Sequence, residues 1–268
     1  MKNLKKIGVF DSGLGGLFIA DSIRKRLPAY DYLYLGDTLH LPYGRRSDEA
    51  IHDLSEKAMR YLFEHGCDLV IMACNTASAA ALRKLQQGFL AREFPDKRIL
   101  GVVVPTLEVA IEQGAHKIGL LATQRTVHSG IYEIELKKIN PAVELVAVAS
   151  PLLVPLIEDG GEKYLDTVLG DYLEPMKKAK ASALILGCTH YVALKGRAKK
   201  LLGDVALISQ DEIIPEKLED YLGRHPEMET RLSKGGTFEI HATDTNENFR
   251  KNARDLMGAA VTLKKAEY

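Results

Sequence analysis

The sequence predicts an α/β fold: two similar α/β lobes with largely parallel sheets, facing a shared cleft. Three observations carry this. Short apolar runs such as Leu69-Val70-Ile71-Met72 and Ala183-Leu184-Ile185-Leu186 alternate with segments of helical spacing, as in strands buried on both faces of a parallel sheet. Each run leads to a small residue, a cysteine and polar residues, Ala73-Cys74-Asn75-Thr76 and Gly187-Cys188-Thr189-His190. Finally, Lys6-Ile7-Gly8-Val9-Phe10 matches Lys117-Ile118-Gly119-Leu120-Leu121, and Ile7 precedes Cys74 by nearly the distance that separates Ile118 from Cys188. Such a repeat implies two related halves, each offering one thiol. Residues 1–98 plus 208–268 are assigned to the first lobe, with Cys74, and residues 99–207 to the second, with Cys188.

In chain order, a first strand over residues 7–10 ends at Asp11-Ser12-Gly13-Leu14-Gly15-Gly16, and a helix over 17–27 stops at Pro28. The glycines fit neither a dinucleotide fingerprint, which needs Gly where Phe18 stands, nor a P-loop, which needs Gly-Lys-Ser/Thr. They leave an acid and a hydroxyl at a strand end, with backbone N–H groups open to a ligand, or simply a tight turn. Tyr32-Leu33-Tyr34-Leu35 is a second strand, and a loop holding Asp37 and Pro42-Tyr43-Gly44 follows. Ser47-Asp48-Glu49 starts a helix with Ile51, Leu54, Ala58, Tyr61 and Leu62 on one face. Cys67, opening the next strand, is read as packing.

After the strand over 69–72, Asn75 and Thr76 are N-cap residue types for a helix through 77–85. Cys74 thus falls at the carboxyl end of a strand and before a helix N-terminus, where ligands bind in open α/β sheets and where a thiolate is favoured. Residues 99–106 are read as a strand crossing into the second half. A strand over 118–121, a polar turn with Thr123 and a helix to about 139 repeat the first-half layout, though Ala122 stands where the first copy has Asp11. Further on come a strand over 143–148, a loop over 153–161 with Glu158 and Asp159, a helix over 162–180 broken or kinked at Pro175, and a helix over 191–202. A strand over 205–209 precedes a tail with Phe238-Glu239-Ile240-His241-Ala242 and a helix holding Phe249, Ala253, Leu256 and Met257. The tail is expected to pack back onto the first half.

The chain has 268 residues with 36 basic and 36 acidic side chains, so no bulk field draws it to nucleic acid or an anionic membrane. No apolar run has the length of a membrane span, and the start, Met1-Lys2-Asn3-Leu4-Lys5-Lys6, lacks a signal-peptide pattern. Three cysteines do not make a disulfide framework; the cytoplasm is the natural compartment.

Thiolates serve as nucleophiles, metal ligands, redox partners or proton-transfer bases. Cys74, Cys188 and His190 could supply metal ligands, but neither metal-site nor redox spacing such as Cys-x-x-Cys is present. A hydrolase using one thiol and His190 leaves the duplicated thiol unused, and a two-lobed amino-acid binding protein uses neither. Duplication makes sense if each lobe delivers one base to opposite faces of a carbon, so that a proton leaves one face and another returns on the other. A thiol suits this because its reference pKa, about 8.5, needs only a modest shift. Asp11 and His190 are candidate partners that set the protonation states, although His190 also suits local capping or packing.

The motifs Asp11-Ser12-Gly13-Leu14-Gly15-Gly16, Gly36-Asp37-Thr38, Pro42-Tyr43-Gly44, Ala73-Cys74-Asn75-Thr76-Ala77-Ser78 and Gly187-Cys188-Thr189-His190-Tyr191, in this order, resemble the glutamate racemases. The resemblance implies a cofactor-independent enzyme without a metal that interconverts L- and D-glutamate for bacterial peptidoglycan, commonly as a homodimer. It implies Cys74 and Cys188 as proton-transfer residues, Asp11 and His190 as their assistants, and Asp37 and Glu158 as further acids. Ser12, Pro42, Tyr43, Gly44, Asn75, Thr76, Thr123, Thr189 and His190, with Asp11, are the implied substrate contacts. Two departures stand out: Val192 replaces the usual Pro, and Ile208-Ser209-Gln210 replaces Ile-Asp-Ser. The wider superfamily includes aspartate and hydantoin racemases; the Asp-Ser-Gly and Pro-Tyr-Gly motifs favour glutamate.

Overall fold

A computed structural model describes residues 5–258 and 261–268; residues 1–4, which carry most of the stretch read for a leader pattern, lie outside the described residues. The chain runs β1 (Lys6–Asp11), α1 (Gly16–Arg26), β2 (Tyr32–Gly36), α2 (Asp48–Glu64), β3 (Cys67–Met72), α3 (Asn75–Ala80), α4 (Leu82–Leu85), α5 (Ala91–Glu93), β4 (Arg98–Gly101) and α6 (Val103–Glu112). It continues through β5 (Lys117–Ala122), α7 (Gln124–His128), α8 (Ile131–Ile139), β6 (Glu144–Ala149), α9 (Leu153–Glu158), α10 (Glu162–Lys178), β7 (Ala183–Gly187), α11 (Lys195–Leu202) and β8 (Ala206–Ile208). Last come α12 (Gln210–Arg224), α13 (Pro226–Glu229), β9 (Phe238–Ala242), α14 (Glu247–Met257) and β10 (Thr262–Lys265).

Two sheets form, ordered β10-β9-β2-β1-β3-β4 and β6-β5-β7-β8, and every pairing is parallel. The four strands β2-β1-β3-β4 have the order of β6-β5-β7-β8, so the sequence repeat is a repeat of topology. In each half the chain goes to one side of the first strand and then returns to the other. The carboxyl ends of β1 and β3, and of β5 and β7, therefore flank a switch point, where open sheets leave a crevice for ligands. Tail strand β9 pairs with β2 (Tyr34 beside Ile240, Gly36 beside Ala242) and β10 pairs with β9, so the tail extends the first sheet.

Central strands β1, β3, β5 and β7 are buried almost throughout, as their unbroken apolar runs require. Cys67 is buried, and its sulfur would lie 3.1 Å from a Cβ placed on Gly8. It packs.

Four local expectations are corrected. Residues 99–106 are not one strand: Arg98–Gly101 pairs with β3 in the first sheet, and α6 begins at Val103. The crossing into the second sheet thus comes after Gly101. The loop over 153–161 contains α9. In both cases proline (Pro105, Pro155) sits third in its helix, within the first turn, where a missing N–H breaks no helical bond; its presence there argues for a helix start as well as for a break. The helix after Cys74 begins at Asn75, with Cys74 as its cap, and it breaks at Ala81 before α4 and a π-type turn over Gln86–Leu90. Finally, Pro175 neither ends nor splits α10, which runs on to Lys178.

Candidate active site

Backbone geometry sets the first thiol. The Phe10 carbonyl accepts from both Ala73 N at 2.8 Å and Cys74 N at 3.3 Å, which pins the end of β3 beside the end of β1. Cys74 then caps α3, its Sγ accepting from Ala77 N at 3.5 Å, with Ser12 Oγ also 3.5 Å away. Burial and the nearby Asp11 charge push the Cys74 thiol up to about 12, against the opposing hydrogen bonds from Ser12 and Ala77. Cys74 is therefore a thiol at neutral pH.

The second thiol has other company. Cys188 follows β7, and a 3₁₀ turn over Thr189–Leu194 brings His190 back so that its Nδ1 lies 3.8 Å from Cys188 Sγ. His190 Nε2 is 2.8 Å from Glu158 Oε1, on α9. Burial alone lowers an imidazolium, but the hydrogen bonds and charges of Cys188 and Glu158 outweigh it and hold His190 well above the usual histidine range. Glu158 and Cys188 thus favour the imidazolium form of His190.

The lobes touch at this point. Thr189 Oγ1 donates to Asp11 Oδ1 at 3.3 Å, and Asp11 Oδ2 accepts from Gly13 N at 2.9 Å. Burial raises the Asp11 carboxyl, while the His190 charge and these hydrogen bonds draw it back. Glycines permit the approach: a Cβ on Gly15 would lie 2.5 Å from Thr189 Oγ1 and 2.7 Å from His190 N, and one on Gly16 would strike Asp11 Cβ. Neighbouring hydroxyls also bridge the lobes, with Thr76 Oγ1 3.0 Å from Thr123 Oγ1, itself 2.9 Å from Thr126 Oγ1.

Between the lobes lies a cavity of about 270 Å³, of the order expected for a small-molecule site. Ser12, Pro42, Tyr43, Gly44, Cys74, Asn75 and Thr76 line it from one side, and Thr123, Glu158, Cys188, Thr189 and His190 from the other. The thiols, only 6% and 7% exposed, both line this cavity. Two predicted site residues do not line it. Asp11 lies behind Thr189, and Asp37 is buried beneath Tyr43, accepting from its hydroxyl at 2.6 Å and from Thr243 Oγ1 at 2.9 Å, with His40 Nδ1 at 2.7 Å. Glu158 sits on a helix instead of the expected loop.

Sequence reasoning missed Ser150, Val154 and Pro155 in the lining. Ser150 directly follows β6, so its strand-end position was the available signal; the other two lay in α9, misread as a loop. It also missed Tyr132 and Gln210, which bond Asn75 from behind. Only the fold brings those segments together. Among the described residues, no three His, Cys, Asp or Glu side chains are grouped to hold a metal ion, and no helix is long and apolar enough to cross a membrane.

The family model described as Asp/Glu/Hydantoin racemase matches residues 19–214, a span containing both Cys74 and Cys188. A glutamate racemase of Dinoroseobacter shibae is 40% identical over 236 residues, covering 83% of this chain and 85% of the relative. One from Aquifex aeolicus is 37% identical over 266 residues, covering 97% and 96%. Among solved structures, a glutamate racemase isoform from Bacillus anthracis superposes with a TM-score of 0.89 at 30% identity, covering 98% of this chain and 97% of that one. Glutamate racemase from Francisella tularensis in complex with D-glutamate gives 0.88 at 28% identity, covering 99% and 98%.

Proposed function

The chain belongs to the Asp/Glu/Hydantoin racemase family, and from that premise we propose that it inverts glutamate at Cα by proton transfer between Cys74 and Cys188. It is an amino-acid racemase, and glutamate is the substrate for which its relatives are named. The observation that carries the two-thiol mechanism is that each lobe contributes one buried cysteine to a single cavity.

The steps follow from the unequal surroundings of the two sulfurs. Cys188, beside protonated His190, starts as the base; Cys74, held as a thiol, starts as the acid. The Cα–H bond of the enantiomer facing Cys188 breaks, its proton passes to that sulfur, and the electron pair stays on Cα. Cys74 S–H then delivers its proton to the opposite face, which inverts the centre and leaves Cys74 as thiolate. The reverse reaction, or exchange with solvent, restores the starting state. Because a Cα proton is a poor acid, the site must stabilise the carbanion with fixed dipoles in a water-poor space; Ser12, Asn75 and Thr76 are donors suited to the substrate carboxylates, and the Thr189 hydroxyl, whose one hydrogen goes to Asp11, offers the ammonium an acceptor. Asp11 and Glu158 act through Thr189 and His190, and Asp37 through Tyr43.

Incubation of either glutamate enantiomer in deuterated water tests this: label enters Cα as optical rotation decays. Cys188→Ser and Cys74→Ser should each slow racemisation by at least about a hundredfold. The Cys188–His190–Glu158 series also fits a one-thiol hydrolase; full activity of that kind in Cys74→Ser, with no label uptake in the native protein, would favour it.

The proposal extends to D-glutamate supply for peptidoglycan, as the resemblance implies, to a cytoplasmic setting that suits three free cysteines, and to a homodimer, checked by sedimentation.

A further inference from the structure

Behind the cavity wall, three buried side chains from separate stretches of chain close a ring of hydrogen bonds. Asn75, which opens α3 and lines the cavity, donates from Nδ2 to Gln210 Oε1 at 2.7 Å and accepts at Oδ1 from Gln210 Nε2 at 2.7 Å. Tyr132, on α8, donates its hydroxyl to the same Oδ1 at 2.7 Å and lies 3.4 Å from Gln210 Nε2. Gln210 opens α12 at a position where the sequence departs from the pattern it resembles, so the resemblance gives it no role.

We infer that Gln210 and Tyr132 are positioning residues that lock the Asn75 carboxamide with its nitrogen toward the substrate, so that this part of the cavity reads a carboxylate and rejects an ammonium. A carboxamide offers two N–H donors and two lone pairs. Both Asn75 lone pairs are taken, by Gln210 and Tyr132, and one N–H is taken by Gln210. The remaining N–H is what Asn75 has left for the cavity, and a donor there pairs with an anion. An unheld carboxamide turns readily about its terminal torsion, which is broad and nearly two-fold, and would present oxygen or nitrogen in turn. Holding it before binding removes that ordering cost from association. The ring also ties Asn75 in the first lobe to Tyr132 in the second through the helix that returns between them.

This inference rests on glutamate being the substrate, and steady-state racemisation in both directions tests it. Gln210→Leu should raise KM for both enantiomers about tenfold, the equivalent of one lost buried hydrogen bond, with kcat changed less than about threefold. Tyr132→Phe, which removes only a hydroxyl, should move KM the same way by a smaller factor. In an Asn75→Ala background neither substitution should change KM further, because both act through that carboxamide. Unchanged KM in Gln210→Leu, or equal shifts with and without Asn75, would overturn the lock; Tyr132→Phe alone decides the matter if Gln210→Leu does not fold. A native protein that takes up no label at Cα of glutamate overturns the substrate reading, and the lock with it.

Discussion

Cys74 and Cys188 occupy equivalent strand ends yet meet unlike neighbours, and the difference lies in single residues. Asp11 and buried backbone surround Cys74; His190 and Glu158 stand behind Cys188. Between the ordinary cysteine value of about 8.5 and about 12, Cys74 stays protonated in the folded chain while it ionises in the unfolded one. A folded-state pKa that is raised contributes stability in full below the unfolded value and loses it as pH rises through the folded one. Cys67, also pushed up to about 12 by burial, adds to the same alkaline loss. In Cys188→Ser, ultraviolet thiolate absorbance should therefore stay flat past pH 9 and rise together with alkaline unfolding; a titration at the ordinary thiol value would refute the proposed starting asymmetry. At this scale both sulfurs, the histidine and the loop motifs were legible, because their types and order are local. That Asp37 serves Tyr43 from below was not legible, since its partner Thr243 arrives from the far end of the sequence.

Among the elements, the close meeting of α1 with the turn after β7 is decisive. Gly15 caps α1 where any side chain would press on Thr189 and the His190 backbone. Gly15→Ala should push that turn away, lengthen the Thr189–Asp11 bond and disturb the His190–Cys188 pair. Overpacking of this kind costs about 1–3 kcal/mol, so a lowered unfolding midpoint and a loss of kcat of at least about tenfold are expected. A variant with native kcat would show that the contact does not set the site. Strands were easily read because burial on both faces leaves an unbroken apolar run. Helices carrying a proline were harder: α6 and α9 hold one in the first turn, and α12, whose first residue holds Asn75, has Pro215 inside it.

For the molecule as a whole, the repeated strand order puts two switch points face to face, and one cavity uses both. The halves are not built alike, however. The second sheet is one unbroken passage, from β5 to β8, whereas the first needs β1 to β4 and then β9 and β10, with β9 sealing β2 and delivering Thr243 to Asp37. On the ribosome, where domains fold as they emerge, this ordering matters. The lobe begun first is finished last, and the lobe begun second can settle while its sister still waits for its outer strands. Nascent chains arrested once β8 has cleared the exit tunnel should therefore already shield the Cys188 region from protease and leave the Cys74 region open to it. Such a protein withholds its chemistry until β9 and β10 have been made.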